Sequence, residues 1–349
     1  MFVVMFLQDI TYDDDIIKCT NTKNISMRKK SMKIDFRAKY YTDDNILPIS
    51  LDTQDYHISI LQSFYSQLST NMELSALETI IIPNNFKSEL ITFQREHDLQ
   101  IGFTDNDVES AIAKVITHTD NDKIKKSIFF HKALLPALQD DHTINNSLLG
   151  ENEKNELIIK RQDVINILHH EMAHIHEDAL SNGIYNNNDL STTNSIFERL
   201  KDITIILWKE YFACRFSSET YLFNYHFEEN VLGLMAKIKE IEEKITIRKN
   251  NKFSDISGLT TEIELLAFRI MRDFSYFQGH INFTNDSEEK YKIIIEIGKI
   301  LDNTIFSDVW ITMNIYFDVF YKKYNKHTAN WVFDKLERTI RDCWNNLYD

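Results

Sequence analysis

The chain is poor in the residues that turn and staple a polypeptide, with seven glycines, three prolines and three cysteines among 349 residues. Globular chains typically carry roughly 7% glycine and 5% proline. Sandwiches, propellers and collagen-like chains need far more turn residues, so those architectures are excluded. The last proline is Pro136, and the chain beyond it can run as long, unbroken helices. Cys19, Cys214 and Cys343 are odd in number and far apart, which offers neither a disulfide framework nor a Cys-x-x-Cys site. That usage fits a reducing, cytoplasmic compartment. Long apolar runs are also missing. Met1 to Leu7 is apolar, but Asp9 follows at once and no basic region precedes it, so neither a membrane span nor a signal peptide is expected. Basic charge is in deficit, 39 Lys and Arg against 53 Asp and Glu, giving a net −14. Wholesale binding to a phosphate backbone is disfavoured. The exception is Lys18 to Lys39, where eight basic residues meet the single acid Asp35. It reads as a solvated terminal arm, and Met27 or Met32 would serve as an alternative start.

What is present is a mixed stretch followed by helices. Thr79 to Ile82 is β-branched and closed by Pro83, which predicts a strand, with a helical stretch running on to Phe93. Ala111 to Thr117 and Ser127 to Leu135 predict two more strands around the turn Asp120-Asn121-Asp122. Leu157 to Ile159 reads as a further short strand. Asp163 then reads as the N-cap of a helix with apolar residues at Val164, Ile167, Leu168, Met172, Ile175 and Ala179, stopped by Asn182-Gly183. Ser195 to Glu198 reads as a capping box for a second helix ending near Ser217. Further helices are expected over 227–249, 259–278, 287–302, 305–323 and 328–347. Their dense aromatics, Trp310, Phe317 and Trp344 among them, read as core. The fold class is therefore α+β, predominantly α. Residues 1–60 form an N-terminal segment with the basic arm, partly disordered; 61–222 form the core domain, and 223–349 a helical extension.

Chemistry concentrates at His170-Glu171-Met172-Ala173-His174. A spacing of four on a helix stacks two imidazoles on one face, where both can ligate one metal ion. Glu171 lies about 100° further round, placed to take a proton from an activated water. A third ligand must come from elsewhere. Glu177 and Asp178 are on the same helix, and three ligands on one straight helix seldom leave an open tetrahedral position. His169 and His176 point to other faces. Glu210 is the better candidate, because its helical neighbours Ile203, Ile206, Leu207, Ala213 and Cys214 are all apolar or small. An unpartnered carboxylate on that stripe would cost several kcal/mol. Its partner is either a metal held by the two histidines or a cation such as Arg215.

The sequence His-Glu-x-x-His followed by Glu210-x-x-Ala213 on a later helix resembles the gluzincin group of zinc metallopeptidases, and within it the ImmA/IrrE-type and related bacterial or phage-borne peptidases. The likeness covers about residues 77–220. It implies a zincin-like core and one zinc per chain on His170, His174 and Glu210. It also implies Glu171 as general base, and a protein or peptide as substrate. A metzincin is excluded, since Leu180 stands where its third histidine would fall. Cys214 occupies the place where many gluzincins carry aspartate. Arg215, Tyr211, His226 and His280 are candidates to support the carbonyl oxygen, with Asp178 as a supporting carboxylate, and the C-terminal helices are a candidate partner or dimer surface. A non-peptidase zinc hydrolase and a non-catalytic zinc-binding regulator remain the alternative readings.

Overall fold

The computed structural model describes residues 32–42, 45–48, 51–99, 112–121, 123–139, 141–181, 184, 196–250, 256–284, 287–324 and 326–347. Its β-structure is a four-stranded mixed sheet. The strands are β1 (Lys33–Phe36), β4 (Leu77–Ile82), β5 (Ala113–Asp120) and β6 (Lys123–Phe130), ordered β1-β4-β6-β5. Strands β1, β4 and β6 run parallel, and β5 returns antiparallel along β6 through the turn at Asn121. Strands β2 (Lys39–Thr42) and β3 (Asn45–Pro48) form a separate antiparallel pair. Side chains alternate across the pleat, so each sheet face has its own apolar set. Ile80, Ile82, Ile128 and Phe130 face helices α1 (Leu51–Leu68) and α4 (Glu151–Leu180). Ile81, Ile116 and Phe129 face α2 (Phe86–Glu96).

Several sequence expectations change here. The stretch Lys18 to Lys30 lies outside the described residues, but the end of the expected arm does not stay solvated. Met32 and Ala38 are buried and β1 pairs with β4. Strand β6 ends at Phe130, because Lys132–Ala137 coils into a 3-10 turn around Pro136, which cannot donate to a ladder. Strand β6 lies inside the sheet between β4 and β5, with β5 outermost on that side. Leu157 to Ile159 is not a strand. The run sits inside α4 between Glu151, Glu153, Glu156 and Lys160, strong helix formers, with a Glu156–Lys160 pair at 2.9 Å. The helix therefore starts at Gly150, whose N–H donates to Glu153, and Asp163 is interior rather than a cap. The expected stop at Asn182-Gly183 and the capping residue Ser195 lie outside the described residues.

After a single-turn α3 (Asp141–Asn145) and α4, the chain is helical: α5 (Ile196–Ser217), α6 (Phe223–Asn250), α7 (Ile256–Phe283), α8 (Ser287–Leu301), α9 (Ser307–Lys322) and α10 (Lys326–Asn346). Helix α5 is the spine of this layer. Trp208, Tyr211 and Phe212 are buried against Phe317 and Phe320 of α9, in an apolar cluster that continues without a break into α6, α7 and α10. Helix α4 carries its apolar residues in the sheet cluster instead, so α4 and α5 meet as representatives of two cores. Helices α5 and α7 approach closely at Gly279. A Cβ there would stand 2.7 Å from both Cys214 Cβ and the Tyr211 carbonyl oxygen, so only glycine lets α7 lie this near α5. No described helix is long and apolar enough to cross a membrane.

Candidate metal centre

Helix α4 brings His170 and His174 to one face, with their Nε2 atoms 3.0 Å apart. Helix α5 supplies Glu210, whose Oε2 lies 3.3 Å from His170 Nε2 and 3.5 Å from His174 Nε2. A zinc ion with bonds of 2.0–2.1 Å in tetrahedral geometry separates its ligand atoms by roughly 3.3 Å. The three atoms thus already stand at the corners of one face of such a tetrahedron. Glu210 Oε2 is buried and makes no hydrogen bond, so its nearest polar company is the two imidazole nitrogens. A lone buried carboxylate oxygen is costly, and a cation between the three atoms removes that cost. Among the described residues this is the one group of His, Cys, Asp or Glu placed to hold a metal.

Electrostatics agree with the geometry. Burial favours the neutral form of Glu210, yet the two imidazoles outweigh it and hold the carboxyl far below its usual range. Burial likewise opposes charge on His174, and the nearby Glu210 carboxylate, helped by Glu171 and Asp178, raises its pKa. Behind His170, Cys214 Sγ lies 3.7 Å from Nδ1. The thiol stands where the resemblance would place a carboxylate, and burial pushes its pKa well up. With Nε2 turned toward Glu210 and His174, Nδ1 carries the proton and donates a hydrogen bond to the sulfur.

Glu171 is anchored from the sheet. The backbone N–H of Val115, on the open edge of β5, donates to its Oε2 at 2.9 Å. The carboxylate and the metal group open into a cleft of about 790 Å³ between β5, α4, α5, α6 and α7. Two residues that sequence reasoning missed contribute here. One is Val115, which acts through its amide and leaves no trace in residue type. The other is Tyr276 on α7, whose ring centroid is 6.2 Å from that of His170. Burial, reinforced by the charge of Glu210, raises the pKa of its hydroxyl, so it stays a proton donor. Its only sequence signal is that it precedes His280 by one helical turn.

The remaining candidates divide. Asp178 reaches the cleft but is held by Lys126 and by Lys209 at 2.8 Å, which keep its carboxyl ionised against burial. Arg215 does not meet Glu210. It donates to Tyr211 Oη at 2.6 Å and to Asp318 at 2.7 Å, so it and Tyr211 serve the helical core and neither supports a carbonyl oxygen. His226 pairs with Asp163 at 2.8 Å. His280 lines the cleft, and burial, with the His170 charge, pushes its pKa down to about 3. Ser218 Oγ donates to the Cys214 carbonyl at 2.6 Å, so His280 Nδ1 must donate to Ser218 at 2.8 Å. The neutral ring then has no second proton to offer a substrate. His169 bonds Thr220, His176 accepts from the Glu73 N–H, and Glu177 accepts from Trp208 and Tyr324. None of these three joins the metal group. Comparison with family models, with curated proteins and with solved structures finds no match to this chain.

Proposed function

We propose that the chain is a zinc-dependent metallopeptidase of the gluzincin type, with zinc held by His170, His174 and Glu210. The observation that carries this reading is the triangle of ligand atoms opening onto a cleft beside an anchored Glu171. When bound, zinc supplies an electrophile that acidifies water and polarises a carbonyl. The protein's own groups do the rest. Glu171 takes the proton of the attacking water and later delivers it to the leaving amine. Val115 N–H keeps one carboxylate oxygen of Glu171 fixed, leaving the other to face the water. Tyr276 donates its hydroxyl to the carbonyl oxygen as negative charge develops there. Because β5 is the sheet edge, an extended peptide can lie along it as an added strand, which brings its carbonyls past the metal group.

Support for catalysis over a structural zinc comes from the ligand count. A structural site normally closes with four protein ligands, whereas the described residues offer three and a general base beside them. The test is a Glu171→Gln variant assayed on unfolded casein with zinc content measured in parallel. Zinc should stay near one per chain while turnover falls about 10²–10⁴-fold. Undiminished turnover overturns the role of Glu171. Glu210→Ala should lose the metal; a full complement in that variant removes Glu210 from the ligand set.

A further inference from the structure

The helical wall of the cleft changes character along its length. At one end Lys237 of α6 pairs with Asp273 of α7 at 2.9 Å. Two turns back along α6 and two turns on along α7, rings take over. Asn230 donates to Tyr221 Oη at 2.9 Å, and the Tyr221 ring stacks on His280 with centroids 4.0 Å apart. Phe223 follows, its ring centroid 6.0 Å from that of His280, and Tyr221, Phe223 and Phe277 all border the cleft. This ring-lined end sits against the first part of the catalytic helix, because Asn166 donates to the Ser217 carbonyl and the Thr220 hydroxyl, just before Tyr221. Beside Asn166, Ile167 also borders the cleft, one helical turn before Glu171. On the strand, Ala113 lies two residues before Val115 on the same side, and its neighbour Ile112 is exposed.

We propose that Gly233 on α6 opens a pocket at this end for a large apolar side chain, an aromatic one above all, of the peptide bound in the cleft. The inference rests on the peptidase reading and adds a substrate class to it. Asn230, Gly233, Leu234 and Lys237 form the stripe of α6 that borders the cleft, and only at 233 does the stripe lack a side chain. Glycine weakens a helix interior, and here neither a positive φ nor a crowded Cβ calls for it. Beyond its own turn of helix, a Cβ at 233 would meet no atom of the described residues within 4 Å. The room so left faces rings and aliphatic carbon. Polar groups at this end are turned on one another, Asn166 to Ser217 and Thr220, Asn230 to Tyr221, and His280 to Ser218. Glu229 borders the cleft from an exposed position, at the solvent side. A ring moved from water onto such a surface gains in proportion to the area it covers. Most of the pocket comes from residues 221–280, beyond the stretch that resembles the peptidases, so its size and shape belong to this chain.

The experiment uses full-length zinc-loaded protein and a set of quenched fluorescent peptides in which each position flanking the cleaved bond is Phe, Ala or Glu. At one position the Phe peptide should exceed the Ala peptide in kcat/KM by about 10–100-fold, the worth of burying one large apolar side chain. Gly233→Leu fills the room and should bring that ratio to about one, with zinc content still near one per chain. Gly298→Leu is the control. It adds the same side chain on α8, away from the cleft, where a Cβ also meets nothing, and it should leave the ratio as it was. The same peptides are titrated by fluorescence anisotropy into Glu171→Gln protein, with and without Gly233→Leu. A Phe preference in binding that Gly233→Leu removes, without any hydrolysis by the wild type, would keep the pocket and sink the peptidase reading. Equal Phe and Ala affinities and rates, a preference that survives Gly233→Leu, a loss shared by Gly298→Leu, or no binding of either peptide would overturn the pocket.

Discussion

The two walls of the cleft are built from different material. The β5 wall acts through its backbone, since the contact that holds Glu171 is the Val115 amide. The helical wall acts through side chains, and these lean on others: His280 on Ser218, and His170 on Cys214. Sheet position fixes an amide whatever side chain it carries. A side chain is fixed only if its supports are correct. The contact made by the sheet wall should therefore survive a change of side chain at Val115 but not loss of its amide, and the helical wall should be sensitive several residues away from the chemistry.

The largest effect is expected deep in the helical wall. Asp318→Ala leaves the Arg215 charge buried beside Tyr321, without the carboxylate that now meets it. It should cost about 3–5 kcal/mol in urea unfolding. A loss below about 1 kcal/mol would mean that this pair behaves as a surface bridge and the contrast between the walls is weaker than drawn. On the sheet side, Val115→Pro removes the amide on an edge strand, where proline is accepted. Turnover on casein should fall about 10–100-fold, as for one hydrogen bond to a charged group, with zinc retained. Val115→Thr keeps the amide and should keep the rate; equal losses in both variants would show that the side chain matters after all.

Gly279→Ala tests whether the two helices at the heart of the helical wall can separate. The added methyl meets backbone and Cβ atoms at 2.7 Å, so α7 must shift, at a cost of about 1–3 kcal/mol in thermal melts. Zinc should also leave faster on dialysis, because Cys214 sits at the point of contact. The last effect is a slope in pH. His280 has a folded pKa of about 3 against roughly 6.5 when unfolded, so below pH 6.5 the unfolded chain takes the proton first. Stability is complete above that pH and should decline by about 1.4 kcal/mol per unit as pH falls toward about 3. His280→Gln should flatten the slope by that amount, and an unaltered slope would place the acid sensitivity elsewhere.

How much of this was legible in the sequence depended on the kind of physics each part uses. His170 and His174 were readable because a spacing of four has one meaning on a helix. Glu210 was readable as a carboxylate stranded among apolar neighbours. Arg215 misled, since five residues on from Glu210 places it about 140° around the helix, on the side facing Asp318. Val115 could not be found, because a backbone amide is common to every residue but proline. Tyr276 was hidden among many aromatics whose usual task is packing. Strand β1 has only four residues, and its identity comes from β4 beside it rather than from its own alternation. The error at Leu157 to Ile159 has the same root: a three-residue apolar run carries less weight than the Glu, Lys, Arg and Gln residues around it.

The meeting of α4 and α5 has a consequence for how the molecule comes apart. Two of the three metal-group side chains project from a helix rooted in the sheet cluster, and the third from a helix rooted in the aromatic cluster. An ion at this position is a clasp between two apolar clusters of one compact unit. Its contribution to holding them together grows as RT ln(1 + [M]/Kd), with M the metal, and vanishes when a chelator takes it away. Chelation should then uncouple the two clusters before either one melts. Calorimetry in EDTA should resolve two transitions where the zinc-loaded chain gives one.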